Sequence, residues 1–140
     1  MTESILKGFE VIPGELFGNK PKATLIIREG KILLNPVSVA ILNPSQYGEF
    51  YFNPKERKIV VKSCDENSKN AIKFTTLSNR PKEFYHITLY DRVMETMKWD
   101  SNYKYRLVGK EVDVEGSTGI LYYLDYAEKL PLKQIRHYKK

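Results

Sequence analysis

The stretch from residue 30 to residue 62, GKILLNPVSVAILNPSQYGEFYFNPKERKIVVK, limits the fold of this chain more than any other. Its Asn35-Pro36 pair predicts the start of a helix, because Asn caps free N–H groups and Pro needs no donor in the first turn. Asn43-Pro44 ends the helix after one to two turns, since a residue before Pro avoids the helical region. A helix this short needs tertiary packing to be stable.

Strands are predicted on both sides of this helix. Residues 23–34 form two strands joined by a tight turn in which Gly30 takes positive φ. Residues 47–52 alternate, with Phe50 and Phe52 on one face, which indicates a half-buried strand. A charged hairpin then leads to a return strand at residues 59–61.

A second stretch, residues 84–124, repeats this order. It predicts a strand at residues 85–89, followed by a helix over 92–99 that Asp91 caps. A strand at 103–108 and a long hairpin at 109–119 come next, and the hairpin holds a short strand at 111–114. A last strand at 120–124 closes the unit. Placing Ile32 on Ile87 aligns Leu34 with Leu89, Leu42 with Met97, Phe50 with Tyr105 and Phe52 with Leu107 without a gap. The alternative is chance agreement between two β-rich segments.

The predicted fold class is therefore mainly β (α+β), with two β-α-β-β units and short helices. Neither unit is able to bury its apolar face alone, so the two share one core. The predicted organisation is an N-terminal strand or extension (1–22), a first unit (23–63), a connector with one short strand (64–83), a second unit (84–127) and a basic tail that forms a helix or a flexible arm (128–140).

The composition excludes some classes of protein. The chain of 140 residues is 41% hydrophobic and has no apolar run of membrane-spanning length, which predicts no membrane association. Its N-terminus has no secretory pattern, and the single Cys64 has no partner for an internal disulfide. These features predict a cytoplasmic protein.

The first unit resembles the swapped-hairpin DNA-binding domain of the AbrB and MazE regulators and antitoxins. The resemblance lies in Gly30-Lys31-Ile32-Leu33-Leu34-Asn35, followed by a short helix, the strand Glu49-Phe50-Tyr51-Phe52 and the return strand Ile59-Val60-Val61-Lys62. It covers residues 23–62, with a fainter copy over 84–124. The chain also resembles small phage and mobile-element proteins that carry two such units in tandem.

The resemblance implies that the two units form a barrel-like pseudo-dimer, and it leaves a homodimer of chains open. It also implies that Arg28 and Lys31, at the glycine turn, face DNA. The first helix departs from the family, because Val37-Ser38-Val39-Ala40 stand where the family has arginines, and the second unit keeps only Arg92 at its helix.

Two further features bear on nucleic-acid binding. Lys104 and Arg106 alternate with Tyr103 and Tyr105, so either the cations face out to contact phosphate or the tyrosines face out to stack on bases. The third reading is an ordinary half-buried strand. Five of the six net positive charges lie in the tail, which favours a nucleic-acid arm or a solvated terminus; they are Lys129, Lys133, Arg136, Lys139 and Lys140.

No pattern of residues predicts catalysis, a metal or a cofactor. Cys64 with His86 or His137 lacks a third orienting group, and His86 is predicted to be a half-buried structural residue. No Cys/His spacing suits zinc, and no phosphate-binding glycine motif occurs. We therefore expect a protein that is not an enzyme.

Two functions follow from these features. The first is duplex DNA binding, as in a transcriptional regulator; the candidate contacts are Arg28, Lys31, Arg92, Lys104, Arg106, Lys133 and Arg136. The second is binding to a host protein, inhibiting or recruiting it, which the ten tyrosines favour. A continuous basic stripe across both units favours DNA, whereas an exposed patch of tyrosines and phenylalanines favours a protein.

Overall fold

The computed structural model describes residues 5, 7–10 and 22–132. This part of the chain contains nine strands and two helices. In chain order they are β1 (Ala23–Arg28), β2 (Lys31–Leu34), α1 (Pro36–Leu42), β3 (Tyr47–Asn53), β4 (Lys58–Cys64), β5 (Ile72–Lys73), β6 (Phe84–Tyr85), α2 (Ile87–Met97), β7 (Tyr103–Val114), β8 (Ser117–Tyr123) and β9 (Glu128–Pro131).

The described strands form one antiparallel sheet, so the prediction of a mainly β fold is confirmed. Its order is β5-β3-β4-β8-β7-β1-β2-β6, and β9 pairs with the first residues of β7. The sheet curls until its two ends nearly meet, giving a nearly closed barrel. Phe50 lies on β3, the second strand from one end of this order, and Phe84 lies on β6 at the other end, yet their rings are only 5.5 Å apart.

The first unit forms largely as its sequence predicts. Glu29 and Gly30 both have positive φ, which makes the two-residue turn between β1 and β2. The Asn35 side chain accepts the Ser38 N–H at 3.0 Å and the Thr24 N–H at 2.9 Å, so it caps α1 and ties the helix to β1. The helix ends at Leu42, as expected from Asn43-Pro44.

The second unit begins differently from the prediction. The strand predicted at residues 85–89 is wrong, because only Phe84–Tyr85 is extended and α2 starts at Ile87. The predicted Asp91 cap is also wrong: His86 is the cap, and its Nδ1 accepts the Leu89 N–H at 3.3 Å. The helical spacing of the buried Leu89 and Val93 prevails here over the local strand preference of Ile87.

The order β-α-β-β nevertheless occurs twice, as β2-α1-β3-β4 and as β6-α2-β7-β8. The proposed equivalence of Ile32 with Ile87 is wrong, since the first lies in a strand and the second in a helix. The equivalence of Phe52 with Leu107 holds to the extent that both side chains lie in strands and pack against the core.

Two further boundaries differ from expectation. β7 continues to Val114, so the predicted hairpin at 109–119 is a tight turn at Glu115-Gly116. The start of the tail is neither helix nor arm, because Glu128–Pro131 is β9 and pairs with β7. In the connector, the short strand is confirmed as Ile72–Lys73. The predicted N-terminal strand and the remainder of the tail lie mostly outside the described residues.

The core of the described chain lies inside the barrel and beneath the two helices, and it includes one polar pair. The Ser38 hydroxyl lies 2.7 Å from the Tyr122 hydroxyl and donates to the Thr24 carbonyl, so α1 is joined to β8 and β1. Burial raises the pKa of Tyr122. The buried apolar residues are Ala23, Leu25, Ile27, Ile32, Leu34, Val39, Leu42, Ile59, Val61, Phe74, Phe84, Leu89, Val93, Tyr105, Leu107, Ile120, Tyr122 and Leu124.

Neither described helix is both long enough and apolar enough to cross a membrane.

Candidate nucleic-acid interface

The outer wall of the barrel carries cations contributed by both units. Alternation along β7 buries Tyr105 and Leu107, so the Lys104 and Arg106 side chains point outward. The same alternation along β1 buries Ile27 and turns Arg28 outward. The structure therefore answers the question left open for β7, because its cations, not Tyr105, face solvent.

Strand register brings four of these cations together. Ile26 pairs with Arg106 and Ile27 with Tyr105, which places Arg28 beside Lys104. Across the β1–β2 turn, Arg28 pairs with Lys31. We call the resulting row the basic stripe; it consists of Lys104, Arg106, Arg28 and Lys31.

Glu83 lies against the basic stripe and was not among the predicted site residues. Its carboxylate accepts from Arg28 Nε at 2.8 Å and from Arg28 Nη2 at 3.1 Å, and Lys31 Nζ is 3.9 Å away. The hydrogen bonds from Arg28 hold the pKa of Glu83 below its ordinary value, and the same bonds raise the pKa of Arg28. The stripe thus contains one internal carboxylate, which a phosphate would have to replace or accommodate.

The other stripe residues differ in their partners. Arg106 Nη2 forms an ion pair with Glu128 of β9 at 2.6 Å. Lys31 Nζ also lies 5.2 Å from the centre of the exposed Tyr85 ring, a cation–π contact. Lys104 has no ion-pair partner within 4 Å among residues 22–132.

The remaining predicted contacts do not join the stripe. Arg92 is exposed on α2 and lines a cleft with Phe52 and Thr88, away from the outer wall. Lys133 and Arg136 lie outside the described residues. The predicted set is therefore divided, with four members together and one on a different surface.

Further cations on the outer wall were missed from the sequence. Lys58 and Lys62 alternate with the buried Ile59 and Val61 of β4, and this pattern was the signal that could have found them. Lys58 Nζ and Lys110 Nζ lie 5.8 and 5.7 Å from the centre of the Tyr123 ring. Lys58, Lys62 and Lys110 extend the positively charged surface of the wall from β7 across β8 to β4.

Helix α1 contains no cationic residue, and its packing explains why. Ser38 and Val39, two of the positions where the resembled family has arginines, are buried against the barrel. Because the Ser38 hydroxyl is engaged with Tyr122 in the core, a charged side chain at this position would be buried without a partner.

Exposed aromatic side chains do not form a patch comparable to the stripe. Among the described residues Phe9, Tyr51, Tyr85 and Tyr126 are exposed. The three tyrosines lie on β3, on β6 and in the loop after β8, and Phe9 precedes β1. Tyr105 is internal, with its ring stacked on Trp99 at 4.1 Å.

Of the residues considered for catalysis, His86 and Cys64 lie in the described part of the chain, and His137 lies outside it. His86 is half-buried and caps α2, and burial lowers the pKa of its imidazole. Burial likewise raises the pKa of the Cys64 thiol. Within residues 22–132 and the few described residues before them, no cluster of three or more His, Cys, Asp or Glu is placed to hold a metal ion.

The chain matches no protein-family model, and comparison with curated proteins and with solved structures finds no match. The site is therefore defined by its geometry alone.

Proposed function

We propose that this protein binds duplex DNA through the basic stripe. The observation that carries the proposal is the cross-strand register of Lys104 and Arg106 with Arg28 and Lys31, which makes one continuous row of cations from both units. Phosphate contacts from such a row supply affinity without sequence specificity. Lys58 and Lys62 of β4 and Lys110 of β7 extend this surface along the same wall.

The proposed architecture is an AbrB-like pseudo-dimer within one chain. Its support is the repeated order β-α-β-β together with the pairing of equivalent strands, β2 with β6 and β4 with β8. Antiparallel pairing of equivalent strands is what a twofold relation between two units requires. DNA would meet the strands of this pseudo-dimer rather than α1, whose central residues are buried.

Phosphate would compete with Glu83 and Glu128 for the stripe. Both acidic partners are accessible, since the Glu83 side chain is 26% exposed and that of Glu128 is 52% exposed. The exposed Arg106–Glu128 pair is weak, so Arg106 is able to exchange its carboxylate for a phosphate at small cost. The two hydrogen bonds from Arg28 make the exchange at Glu83 more costly. Lys104, which has no such partner among the described residues, is the contact expected to contribute most directly.

The test is binding of a mixed-sequence DNA duplex, followed by fluorescence anisotropy over a range of salt concentrations. We expect affinity to fall steeply with salt, and the slope of log affinity against log salt to decrease by about one to two in Lys104→Gln/Arg106→Gln. The matched control is Lys55→Gln/Lys69→Gln, which removes the same charge from two exposed loop positions.

The control pair should leave the slope unchanged. Equal loss in both double variants would mean that net charge, not the stripe, attracts DNA. Absence of binding at low salt by the unmodified protein would overturn the proposal.

A further inference from the structure

One edge of β3 has no strand partner over most of its length within the described part of the chain. β3 pairs with β4 from Tyr47 to Asn53, but on its other side β5 pairs only with Tyr47 and Gly48. Among the described residues, no strand pairs with residues 49–53 on that side. An unpaired strand edge presents main-chain N–H and C=O groups that are able to add a further strand.

A cleft runs beside this open edge. Its first part, about 370 Å³, lies between Phe50, Ile72 and the ring of His86. A second part, about 170 Å³, continues from Phe50 and His86 to Leu89 and Arg92 on α2. Because Phe50 and His86 line both parts, the two hollows are adjacent and together reach from the end of β5 to the first turns of α2.

The floor of the cleft is aromatic. The Phe50 ring lies 5.5 Å from Phe84 and 5.6 Å from His86 between ring centres. Burial lowers the pKa of His86, which favours the uncharged form of its ring. A strand placed here would turn alternate side chains toward this floor, and apolar side chains would suit those positions.

The charges at the cleft favour an acidic occupant at one end. Glu49 is already engaged, since its carboxylate accepts from the Tyr51 hydroxyl at 3.2 Å and lies 4.0 Å from Lys62 Nζ. Arg92 is exposed at the opposite end, and no carboxylate among residues 22–132 lies within 4 Å of it. A carboxylate would therefore complement Arg92.

We propose that an extended peptide binds as an added antiparallel strand along residues 49–53 of β3. Its alternate residues are apolar and face Phe50 and Phe52, and a carboxylate side chain near one end meets Arg92. The direction follows β5, which already pairs antiparallel with the same edge and leaves it at Ala71. The peptide site is distinct from the basic stripe and does not depend on DNA binding.

The probe is a fluorescein-labelled hexapeptide with aspartate followed by alternating valine and threonine, titrated with the full-length protein by anisotropy. A second peptide of the same sequence is N-methylated at the amides that face β3. We expect the N-methylated peptide to bind at least about tenfold more weakly, because it lacks the main-chain hydrogen bonds.

Charge complementarity is tested with Arg92→Gln. We expect this variant to bind the aspartate peptide about two- to fivefold more weakly and to bind an asparagine version as the unmodified protein does. The control is Lys110→Gln, an exposed cation on β7, which should change neither affinity. Amide hydrogen exchange should slow at residues 49–53 when the peptide is present.

Equal binding of the methylated and unmethylated peptides, or no binding of either, would overturn the proposal. So would protection of residues 49–53 in the protein alone. If that protection accompanies a dimer in sedimentation, the edge is used by a second copy; if the protein is monomeric, the chain itself covers the edge.

Discussion

Strands β3 and β7 occupy the same place in the two β-α-β-β units, but their surroundings differ. β7 is twelve residues long and pairs with β1, β8 and β9. β3 is seven residues long and pairs fully with β4 but only briefly with β5. Consequently Tyr105 and Leu107 of β7 are buried, whereas Phe50 and Phe52 of β3 are only partly buried.

The difference shows how one order of elements provides two kinds of surface. Around Tyr105 and Arg106, β7 is paired on both edges, by β1 and by β9, so this part of the strand presents its outward side chains rather than its backbone. A strand open on one edge presents its backbone and an aromatic cleft. The proposed DNA surface and the proposed peptide surface thus follow from enclosure of β7 and exposure of β3.

The largest expected effect separates the two strands by their contribution to stability. Leu107→Ala removes a fully buried side chain and should lower the free energy of unfolding by about 2–5 kcal/mol. Phe52→Ala removes a larger side chain that is only half-buried, and it should cost about 1–2 kcal/mol. Urea denaturation of both variants measures the difference. A cost for Phe52→Ala that matches or exceeds that of Leu107→Ala would show that the two strands are equally enclosed.

A smaller effect on stability is expected from Tyr105→Phe, which gives β7 the residue type of the aligned Phe50 of β3. The Tyr105 hydroxyl donates to the Asp100 carbonyl at 3.0 Å and accepts the Asp100 N–H at 2.9 Å. Tyr105→Phe removes both hydrogen bonds and should cost about 1–2 kcal/mol. The matched control is Tyr103→Phe, whose half-buried hydroxyl has no hydrogen-bond partner among the described residues. Equal stability of the two variants in urea would mean that the Asp100 contacts contribute nothing.

The smallest effect concerns Glu83, the carboxylate of the basic stripe. Its pKa is lowered in the folded protein, so the stability it contributes is present above its unfolded pKa and is lost as pH falls through the folded value. Glu83→Gln should therefore cost less than about 1 kcal/mol near neutral pH and nothing in acid. Denaturation of both proteins between about pH 7 and pH 3 measures the change. A difference that grows as the pH falls would contradict the assignment.

Glu83→Gln also tests whether the proposed DNA surface and the proposed peptide surface are separate. Glu83→Gln removes a negative charge from the stripe, so affinity for duplex DNA should rise if the stripe is the DNA surface. Affinity for the probe peptide at β3 should stay unchanged. A change in peptide affinity alone would mean that the two surfaces are coupled or wrongly assigned.

Local chemistry made part of the fold predictable. The turn at Glu29-Gly30 and the helix start at Asn35-Pro36 depend on contacts within a few residues, and both are found as expected. The start of α2 was not predictable in this way. Ile87 and Thr88 favour strands locally, but burial of Leu89 and Val93 stabilises the helix that begins there.

The candidate site was likewise predictable only in part from local sequence. Alternation in β7 placed Lys104 and Arg106 on one face of the strand from sequence alone, but only the structure showed that this face, like Arg28 of β1, points outward. Their assembly into one stripe depended on register between strands far apart in the chain. The separation of Arg92 from that stripe likewise depended on where α2 packs.

By itself, then, the amino-acid sequence determined the mainly β character, the repeated order of elements and the alternation that places Lys104 and Arg106 on one face of a strand, because these depend on periodicity and on neighbouring residues. Only the tertiary structure decided that Glu83 lies on Arg28, 55 residues away, and that Ser38 lies on Tyr122, 84 residues away. It also decided which strand edge remains open. Such features depend on how distant segments pack, and no local pattern encodes them.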